Sequence, residues 1–532
     1  MAAMQAAPAT HKPLREWILS AVTRYHDREC LVLPDATLTY GEVDRLANAI
    51  ANVLLQRGVR EGSVVMTFCH NSAALVGTWF ACMKIGAVFA PLNAWLSGDP
   101  LTHVMFQARG EVLVCDGPLA GVAHASSRDL PALRTMLVAG AMQQSGFASF
   151  DDAVAAASTD APPPPDADPA APARLMFTSG TTGESKGVLW SRNAEALHAV
   201  CYGDELVQTA PGETVYTCLP LFHVTAQGTL LGTLLRGGRT VVDRRFDPLR
   251  FWARTRAVDA VFFPYVGTII STLLSRPARR RDSDNPVRRA MGSATPAGLW
   301  EAFERRFDVV LEDVWGQTET ASCWTHAGAA GPVPGSVGVP CDRFDARVVG
   351  AGGIEALLGE PGELWIRPYE PHVIFEGYTH TGTGTALPDV GADGWYRTGD
   401  LLARGIDGAL SFHGRLRETI RRRGETIAPV EIEAVVARHP AIRECAAIGV
   451  PADDGVEDEI LLCVVLNQPH AVTPDSLHAR LMGDLPRFMV PRFIRIEADL
   501  PRTATTRISR GALRASGRAG AWDARAGRGH HG

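Results

Sequence analysis

Residues 174 to 187 read Arg174-Leu-Met-Phe-Thr178-Ser-Gly-Thr-Thr-Gly-Glu-Ser-Lys186-Gly187. An apolar run, Leu175 to Phe177, passes directly into a stretch of Gly, Ser and Thr that closes on a lysine. That order predicts a buried strand feeding a loop whose backbone N–H groups can approach phosphate oxygens, because glycines remove the Cβ atoms that would hold an anion away. The hydroxyls add donors and Lys186 a mobile positive charge. The pattern G-x-x-x-x-G-K-[ST] is absent, so this is not a Walker loop. Standing alone, such a loop reads equally well as an ordinary Ser/Gly turn. Lys186 tips the balance: only Lys12, Lys84 and Lys186 among the 52 basic residues are lysine, and the rest are arginine.

Working outward, strand and helix signals alternate. Thr39 and Glu42 have capping-box spacing, and Val43, Leu46, Ala47, Ile50 and Leu54 recur at helical period toward Gly58. Ser63 to Cys69 is strand-like, Ala73 to Ile85 helical, and a β-branched run leads to Pro91. After residue 210 come strand Thr214 to Leu219, a helix near Gly228 to Leu235, strand Thr240 to Asp243, a helix near Leu249 to Arg256, and strand Ala260 to Phe263. The first 330 or so residues therefore predict a doubly wound α/β architecture. Ser158 to Ala173, with Pro162 to Pro165, reads as a surface linker. Gly335 to Phe412 holds short strand-like runs between Gly, Pro and Asp clusters, a small β-rich, barrel-like subdomain. Beyond Arg415 the pattern becomes a compact α+β domain: helix Val430 to Arg438, strands Cys445 to Val450 and Ile460 to Leu466, helix Ser476 to Leu485, strand Phe493 to Glu497. The boundaries expected are 1–415 for a large N-terminal domain, 416–514 for a small mobile C-terminal domain, and 515–532 for a disordered tail rich in Gly, Ala and Arg.

Composition bounds the function classes. The 532 residues carry 46% hydrophobic and 21% charged residues, enough for large cores and against global disorder. A net charge of −6 offers no general basic surface, so no nucleic-acid partner is expected. The ten cysteines lack any CxxC pair or framework spacing, as in buried thiols of a reducing compartment. The amino terminus has no apolar run behind its charges. The most apolar window, Leu75 to Leu92, holds Lys84, Gly86 and Pro91, so no membrane span is expected and a cytoplasmic location is.

The loop at 178–187 resembles the signature of the adenylate-forming superfamily, which holds acyl-CoA synthetases, luciferases and peptide-synthetase adenylation domains. Further motifs of that family follow in order. Leu219-Pro-Leu-Phe-His223 resembles its substrate gate, and Gly292-Ser-Ala294 its acyl and adenine wall. Asp313-Val-Trp-Gly-Gln-Thr-Glu319 resembles its adenine and metal motif, and Gly394-Trp-Tyr-Arg-Thr-Gly-Asp400 its ribose motif. Gly414-Arg-Leu-Arg-Glu-Thr-Ile420 and Gly424-Glu-Thr-Ile-Ala-Pro-Val-Glu-Ile-Glu433 resemble its hinge and CoA-side loop. The match runs from about Thr39 to Arg510.

The resemblance implies ATP, AMP as an acyl-adenylate, coenzyme A and Mg²⁺ as ligands, with a carboxylic acid as substrate. It assigns Thr178, Ser179, Gly180, Thr181, Thr182, Gly183 and Lys186 to the nucleotide phosphates. Asp313 would accept from the adenine amino group, Trp315 stack on adenine, and Gln317 and Thr318 complete the nucleotide site. Asp400 would accept from both ribose hydroxyls with Arg415 beside it, and Glu319 is a hard oxygen ligand suited to Mg²⁺. His223 would face the acyl carboxylate, with Tyr265, Gly292, Ser293, Ala294, Gly316 and Ala321 around the acyl group; the small residues Gly292, Ala294 and Ala321 predict a roomy pocket. Gly424 would flank the pantetheine path, and Arg421 and Arg423 would offer guanidinium forks to CoA phosphates. Outside the motifs the bland readings hold: a surface Glu319, a turn Asp400, a core Trp315, a satisfied His223, a solvated run at 421–423.

Phe222-His223-Val224 lacks the Asp with which amino-acid-activating relatives hold a substrate ammonium, which disfavours a peptide-synthetase domain. One motif is altered. The family ends in P-[RK]-T-x-T-G-K, whose Lys serves adenylation; here Pro501-Arg-Thr-Ala-Thr-Thr506-Arg507 has Thr for Gly and Arg for Lys. Arginine spreads its charge over a planar fork and does not replace a point charge aimed at a transition state. Three readings follow: an enzyme mainly making CoA thioester from acyl-AMP, supplied by a separate adenylating enzyme; a complete acyl-CoA ligase in which Arg507 serves; and a pseudoenzyme that senses acyl-AMP.

Overall fold

The computed structural model describes residues 12–141, 147–179, 185–295, 297–321, 323–329, 331–379, 385–386, 390–391, 393–422, 425–453, 458–503 and 508–525. Of the sequence-predicted site residues, Gly180, Thr181, Thr182, Gly183, Arg423, Gly424 and Arg507 lie outside that set, as do the side chains of Ser179 and Arg421.

The N-terminal part is built on two sheets with helices between them. In a nine-stranded sheet the order is Thr385–Ala386, Gly377–Thr379, Ser185–Ser191, Pro172–Ser179, Val88–Pro91, Val64–Phe68, Val112–Asp116, Thr135–Ala139, Ala148–Ser149. The six strands from Pro172–Ser179 to Ala148–Ser149 are parallel. Pro172–Ser179 and Ser185–Ser191 instead form an antiparallel hairpin with Thr178 opposite Lys186. The glycine-rich segment therefore joins two strands and does not open a helix, so Lys186 stands on the return strand.

A seven-stranded sheet runs Val310–Asp313, Arg289–Ser293, Ala260–Val266, Thr214–Thr217, Arg239–Val242, Glu29–Val32, Thr37–Thr39. Its first six strands are parallel and the last pair is a hairpin. The two sheets share a core through helices that the sequence marks clearly. Tyr40–Gln56 starts on the expected capping box: Thr39 accepts from the Glu42 N–H while the Glu42 side chain accepts from the Thr39 N–H. Ala73–Ile85 is capped by Ser72 and stopped by Gly86 at φ +71°, a left-handed residue that glycine adopts without a Cβ penalty. These helices approach so closely that a Cβ on Gly77 would lie 2.5 Å from Ile50 Cδ1. The window 75–92 is thus a packed helix and strand, and among the described residues no helix is long and apolar enough to cross a membrane. The linker expected at 158–173 lies against the first of these helices, where Asn48 and Asn52 donate to the carbonyls of Thr159, Ser158 and Asp160.

The expected β-rich subdomain is a six-stranded sheet, Thr325–His326, Ser336–Pro340, Leu410–Arg415, Tyr396–Arg404, Gly362–Pro368, Phe344–Val349. The boundary drawn after residue 415 falls between its strand Leu410–Arg415 and the turn Leu416–Glu418. Beyond that turn, Ile442–Pro451, Asp458–Leu466, Phe493–Glu497 and Trp522–Asp523 form a four-stranded sheet covered by helices Pro429–Val436, Pro474–Asp484 and Arg510–Ser516. Ile432, Ile460, Leu462, Leu477 and Ile494 make its core. One expectation is corrected here. The stretch from 515 is ordered through Arg525, because Trp522–Asp523 adds an edge strand to Phe493–Glu497 and four charged pairs hold it: Arg492 to Asp523, Arg518 and Arg525 to Asp453, and Arg525 to Glu459. Glycine, alanine and arginine content signals disorder only when nothing nearby offers a sheet edge and carboxylates.

Candidate functional site

The parallel strands of the seven-stranded sheet end their carboxyl edge in the motif segments, where ligands of open α/β sheets bind. Asp313, the last residue of Val310–Asp313, is buried and takes three protein donors: Tyr265 hydroxyl at 2.7 Å, Thr295 hydroxyl at 2.6 Å and Thr295 N–H at 2.8 Å. Burial raises its carboxyl above the usual range, and the three hydrogen bonds oppose that rise. Asp313 therefore knots three strand ends together; Thr295, absent from the sequence reading, is its main partner.

Two residues further on, Trp315 is 4% exposed and points its Nε1 at Asp400 Oδ2, 3.0 Å away. Gln317 Nε2 donates to the same oxygen at 2.7 Å and to the Thr398 carbonyl at 3.0 Å. Arg415 Nε pairs with Asp400 Oδ1 at 3.2 Å, because Asp400 and Arg415 face each other across adjacent strands. The structure thus brings together four residues that lie 85 apart in sequence at most within the first three. Asp400 is 3% exposed. A carboxylate offers about four acceptor sites; Trp315 and Gln317 take two at Oδ2, and Oδ1, ion-paired with Arg415, keeps capacity for ribose hydroxyls. The indole edge of Trp315 serves Asp400, which leaves the ring face for the stacking expected of it.

The segments expected to meet phosphate and metal come together around Tyr378, which sequence reading missed because Glu376-Gly-Tyr378 carries no recognised spacing. Its hydroxyl donates to Glu319 Oε1 at 3.0 Å, and Lys186 Nζ lies 5.0 Å from its ring centroid, a cation–π arrangement. Burial raises the Glu319 carboxyl, opposed by its hydrogen bonds and by Arg415. The loop is held at its backbone: Phe375 N–H donates to the Glu319 carbonyl and Trp190 Nε1 to that of Thr318. No group of three or more His, Cys, Asp or Glu side chains able to hold a metal occurs among the described residues. A lone carboxylate suits Mg²⁺, which keeps waters and takes its remaining ligands from substrate phosphates. Glu319 fits that role.

His223 ends the gate segment and precedes helix Val224–Leu235. The segment is pinned from behind: Asn71 donates to the Leu219 carbonyl and accepts from the Leu221 N–H, and Gln227 donates to the Leu221 carbonyl. Gln227 in turn accepts from Arg174, a fully buried guanidinium paired with Glu195 at 2.8 Å and sandwiched between Trp79 and Trp190. Of the small residues from which a roomy pocket is expected, Gly292 is closely packed on the side where its Cβ would point, as is Gly316 beside them. A Cβ on Gly292 would lie 2.4 Å from Tyr265 Cδ2, and one on Gly316 2.4 Å from Trp324 Cδ2, so aromatic rings occupy both spaces. Ala294 and Ala321 are small for another reason: both are left-handed, at φ +61° and +48°, where bulk is penalised. Ser293 is half-buried at the end of its strand.

On the C-terminal side, Arg422 turns inward. It is 6% exposed, pairs with Glu459 at 2.7 Å and donates to the Phe488 and Val490 carbonyls, anchoring the hairpin Ile420–Arg422/Glu425–Ile427 that leads to residue 424. In the segment expected to act as the hinge, Arg417 is exposed while Glu418 pairs with Arg510.

A sequence model of AMP-binding enzymes matches residues 19–379, and one of the AMP-binding enzyme C-terminal domain matches residues 431–507. The chain is 29% identical over 524 residues to a sulfoacetate–CoA ligase of Cupriavidus necator, covering 94% of this chain and 97% of that protein. It is 28% identical over 512 residues to an indoleacetate–CoA ligase of Aromatoleum aromaticum, covering 94% and 97%. Among solved structures, ATP-bound MatB from Rhodopseudomonas palustris superposes with a TM-score of 0.82 at 25% identity over 95% of this chain and 99% of that one. The anthranilate CoA ligase AuaEII in complex with anthranoyl-AMP gives 0.86 at 23% identity over 97% and 99%, a likeness of fold.

Proposed function

Because the chain belongs to the AMP-binding enzymes, in the acyl-CoA synthetase branch of the adenylate-forming superfamily, we propose that it makes an acyl-CoA thioester and works mainly in the second half-reaction. In that step the CoA sulfur attacks the acyl carbon of an acyl-adenylate. A C–S bond forms, the C–O bond to phosphate breaks, AMP leaves with the electron pair, and the thiol proton passes to solvent. The observation that carries the restriction is Arg507: the segment Pro501 to Arg507 ends in arginine, and no lysine follows Lys186 anywhere in the chain. Losing a well-aimed transition-state donor costs on the order of 100- to 1,000-fold in rate.

The nucleotide-binding side supports use of an adenylate. Asp400, with Arg415, Gln317 and Trp315 fixing its carboxylate, would hold the ribose; Lys186 would leave the Tyr378 ring for phosphate oxygens; and His223 would lie at the acyl carbonyl. Mg²⁺, when bound at Glu319, would neutralise phosphate charge during adenylation. The acid would then reach this enzyme as acyl-AMP from a separate adenylating enzyme. A second reading, a complete ligase with Arg507 serving, is favoured by the same assembled cluster of Lys186, Tyr378 and Glu319, since thioester formation alone has no need of a metal ligand.

Acid-dependent pyrophosphate exchange decides between them. The Arg507→Lys change, made together with Thr506→Gly, is expected to raise exchange by about 100-fold or more. Equal exchange by the unmodified protein establishes the complete ligase.

A further inference from the structure

Arg174 carries a charge for which the proposed reaction has no use. It stands on the strand Pro172–Ser179, ahead of Thr178, and is 0% exposed. Its Nε and Nη2 donate to Glu195 Oε1 at 3.1 and 2.8 Å, and its guanidinium lies between the rings of Trp79 and Trp190. One carboxylate balances the charge. Replacing a buried pair of this kind by well-packed apolar residues is often neutral or stabilising, so stability alone does not account for it. Its surroundings tie it to the motif segments: Trp190, opposite Arg174 across the hairpin, donates to the Thr318 carbonyl beside Glu319.

The remaining donor of Arg174 points at the gate. Nη1 donates to Gln227 Oε1 at 2.6 Å, and Gln227 Nε2 donates to the Leu221 carbonyl at 2.7 Å. Arginine has donors only, so it accepts nothing but the oxygen side of the Gln227 amide, and the NH₂ is thereby aimed at Leu221. The flipped amide would set NH₂ against guanidinium and oxygen against carbonyl. Gln227 is 0% exposed, where an unmet polar group carries its full desolvation penalty. Asn71 Oδ1 accepts from the Leu221 N–H at 2.8 Å, so buried side chains fix both backbone groups of Leu221. Gln227 grips the far end of the segment as well, since its own N–H donates to the His223 carbonyl at 3.1 Å.

We propose that Arg174 and Gln227 are positioning residues: the guanidinium orients the Gln227 amide, and the amide sets the place of Leu219 to His223 against the strand that carries Thr178. This rests on the proposed reading of that segment as the one that meets the acyl end of an acyl-adenylate. A misplacement of about 1 Å at a reacting centre costs on the order of 100-fold in rate.

The test uses the whole protein and two variants. Gln227→Met removes the acceptor for Arg174 and the donor to Leu221, whereas Gln227→Glu keeps the acceptor alone. Both should lower kcat for thioester formation, read with CoA and whichever of acetyl-, butanoyl-, octanoyl- and benzoyl-adenylate the unmodified protein turns over fastest, by about 10- to 100-fold. The affinity for AMP, which Asp400 and its partners would set, should stay within about twofold. Full kcat in Gln227→Glu would mean that the amide only satisfies a buried guanidinium, and overturns the proposal; so does full kcat in Gln227→Met, or a loss of AMP affinity as large as the loss of kcat. If one variant does not fold the other decides, and if neither folds Arg174→Lys is put to the same two measurements. Should the unmodified protein yield no thioester, the thioester-forming reading fails, and the relay is judged by the affinity for non-reactive acyl-sulfamoyl-adenosines relative to AMP. A ratio lowered about 10-fold in the variants sustains it; an unchanged ratio, or a protein that binds neither ligand, refutes it.

Discussion

Replacing Asp400 by Asn tests the ribose assignment with little change in shape. In the fold, Oδ2 of Asp400 accepts from Trp315 at 3.0 Å and Gln317 at 2.7 Å, and Oδ1 pairs with Arg415 at 3.2 Å. An amide must turn its NH₂ toward one of these donors, so the variant loses the charge and gains one N–H facing another. The internal cost is about 1 to 3 kcal/mol of stability, which urea unfolding measures. The cost in binding is separate. A hydrogen bond to a charged acceptor exceeds a neutral one by about 1 to 1.5 kcal/mol, so two ribose hydroxyls that lose the carboxylate forfeit about 2 to 3 kcal/mol. That corresponds to AMP binding weakened by about 30- to 150-fold. Titration calorimetry with AMP and with the analogue lacking both ribose hydroxyls isolates the term. The unmodified protein should prefer AMP strongly, and Asp400→Asn should shrink that preference by about 30- to 150-fold. If the variant keeps the full preference for AMP while folding normally, the hydroxyls are held elsewhere and the reasoning fails.

Glu319→Gln should abolish Mg²⁺-dependent use of ATP and spare thioester formation from a supplied adenylate, because the metal manages pyrophosphate charge; equal loss of both activities, assayed side by side, would remove the metal assignment. Gly424→Leu should do the converse, blocking the thiol while the adenylate still binds, and normal thioester yield would clear that residue of any place on the pantetheine path. His198 supplies a pH signature: burial, reinforced by Arg174, pushes it down from 6.5 to about 3. The unfolded chain therefore takes up a proton below pH 6.5 that the folded one refuses, so stability falls as pH drops from 6.5 toward 3, by about 2 kcal/mol at pH 5. His198→Gln should flatten the pH dependence of the unfolding free energy by about one proton's worth over that range.

Motif order along the chain determined the family, and local rules located the elements that carry it. The capping box at Thr39, the helix Ala73–Ile85 and the strand Phe493–Glu497 follow from short-range hydrogen bonding and apolar period, which neighbouring residues alone decide. What only the tertiary structure decided are the meetings between distant segments. Tyr378 joins Lys186 to Glu319 across 192 residues because Gly377–Thr379 adds to the edge of the hairpin that carries Lys186, a pairing with no local signal. The tail beyond residue 515 found a sheet edge and the carboxylates of Asp453 and Glu459, which its composition could not announce. Most sharply, Gly292 reads as room in one dimension. A residue's size is local, whereas the space in front of it belongs to whichever side chains the fold brings there, here the ring of Tyr265.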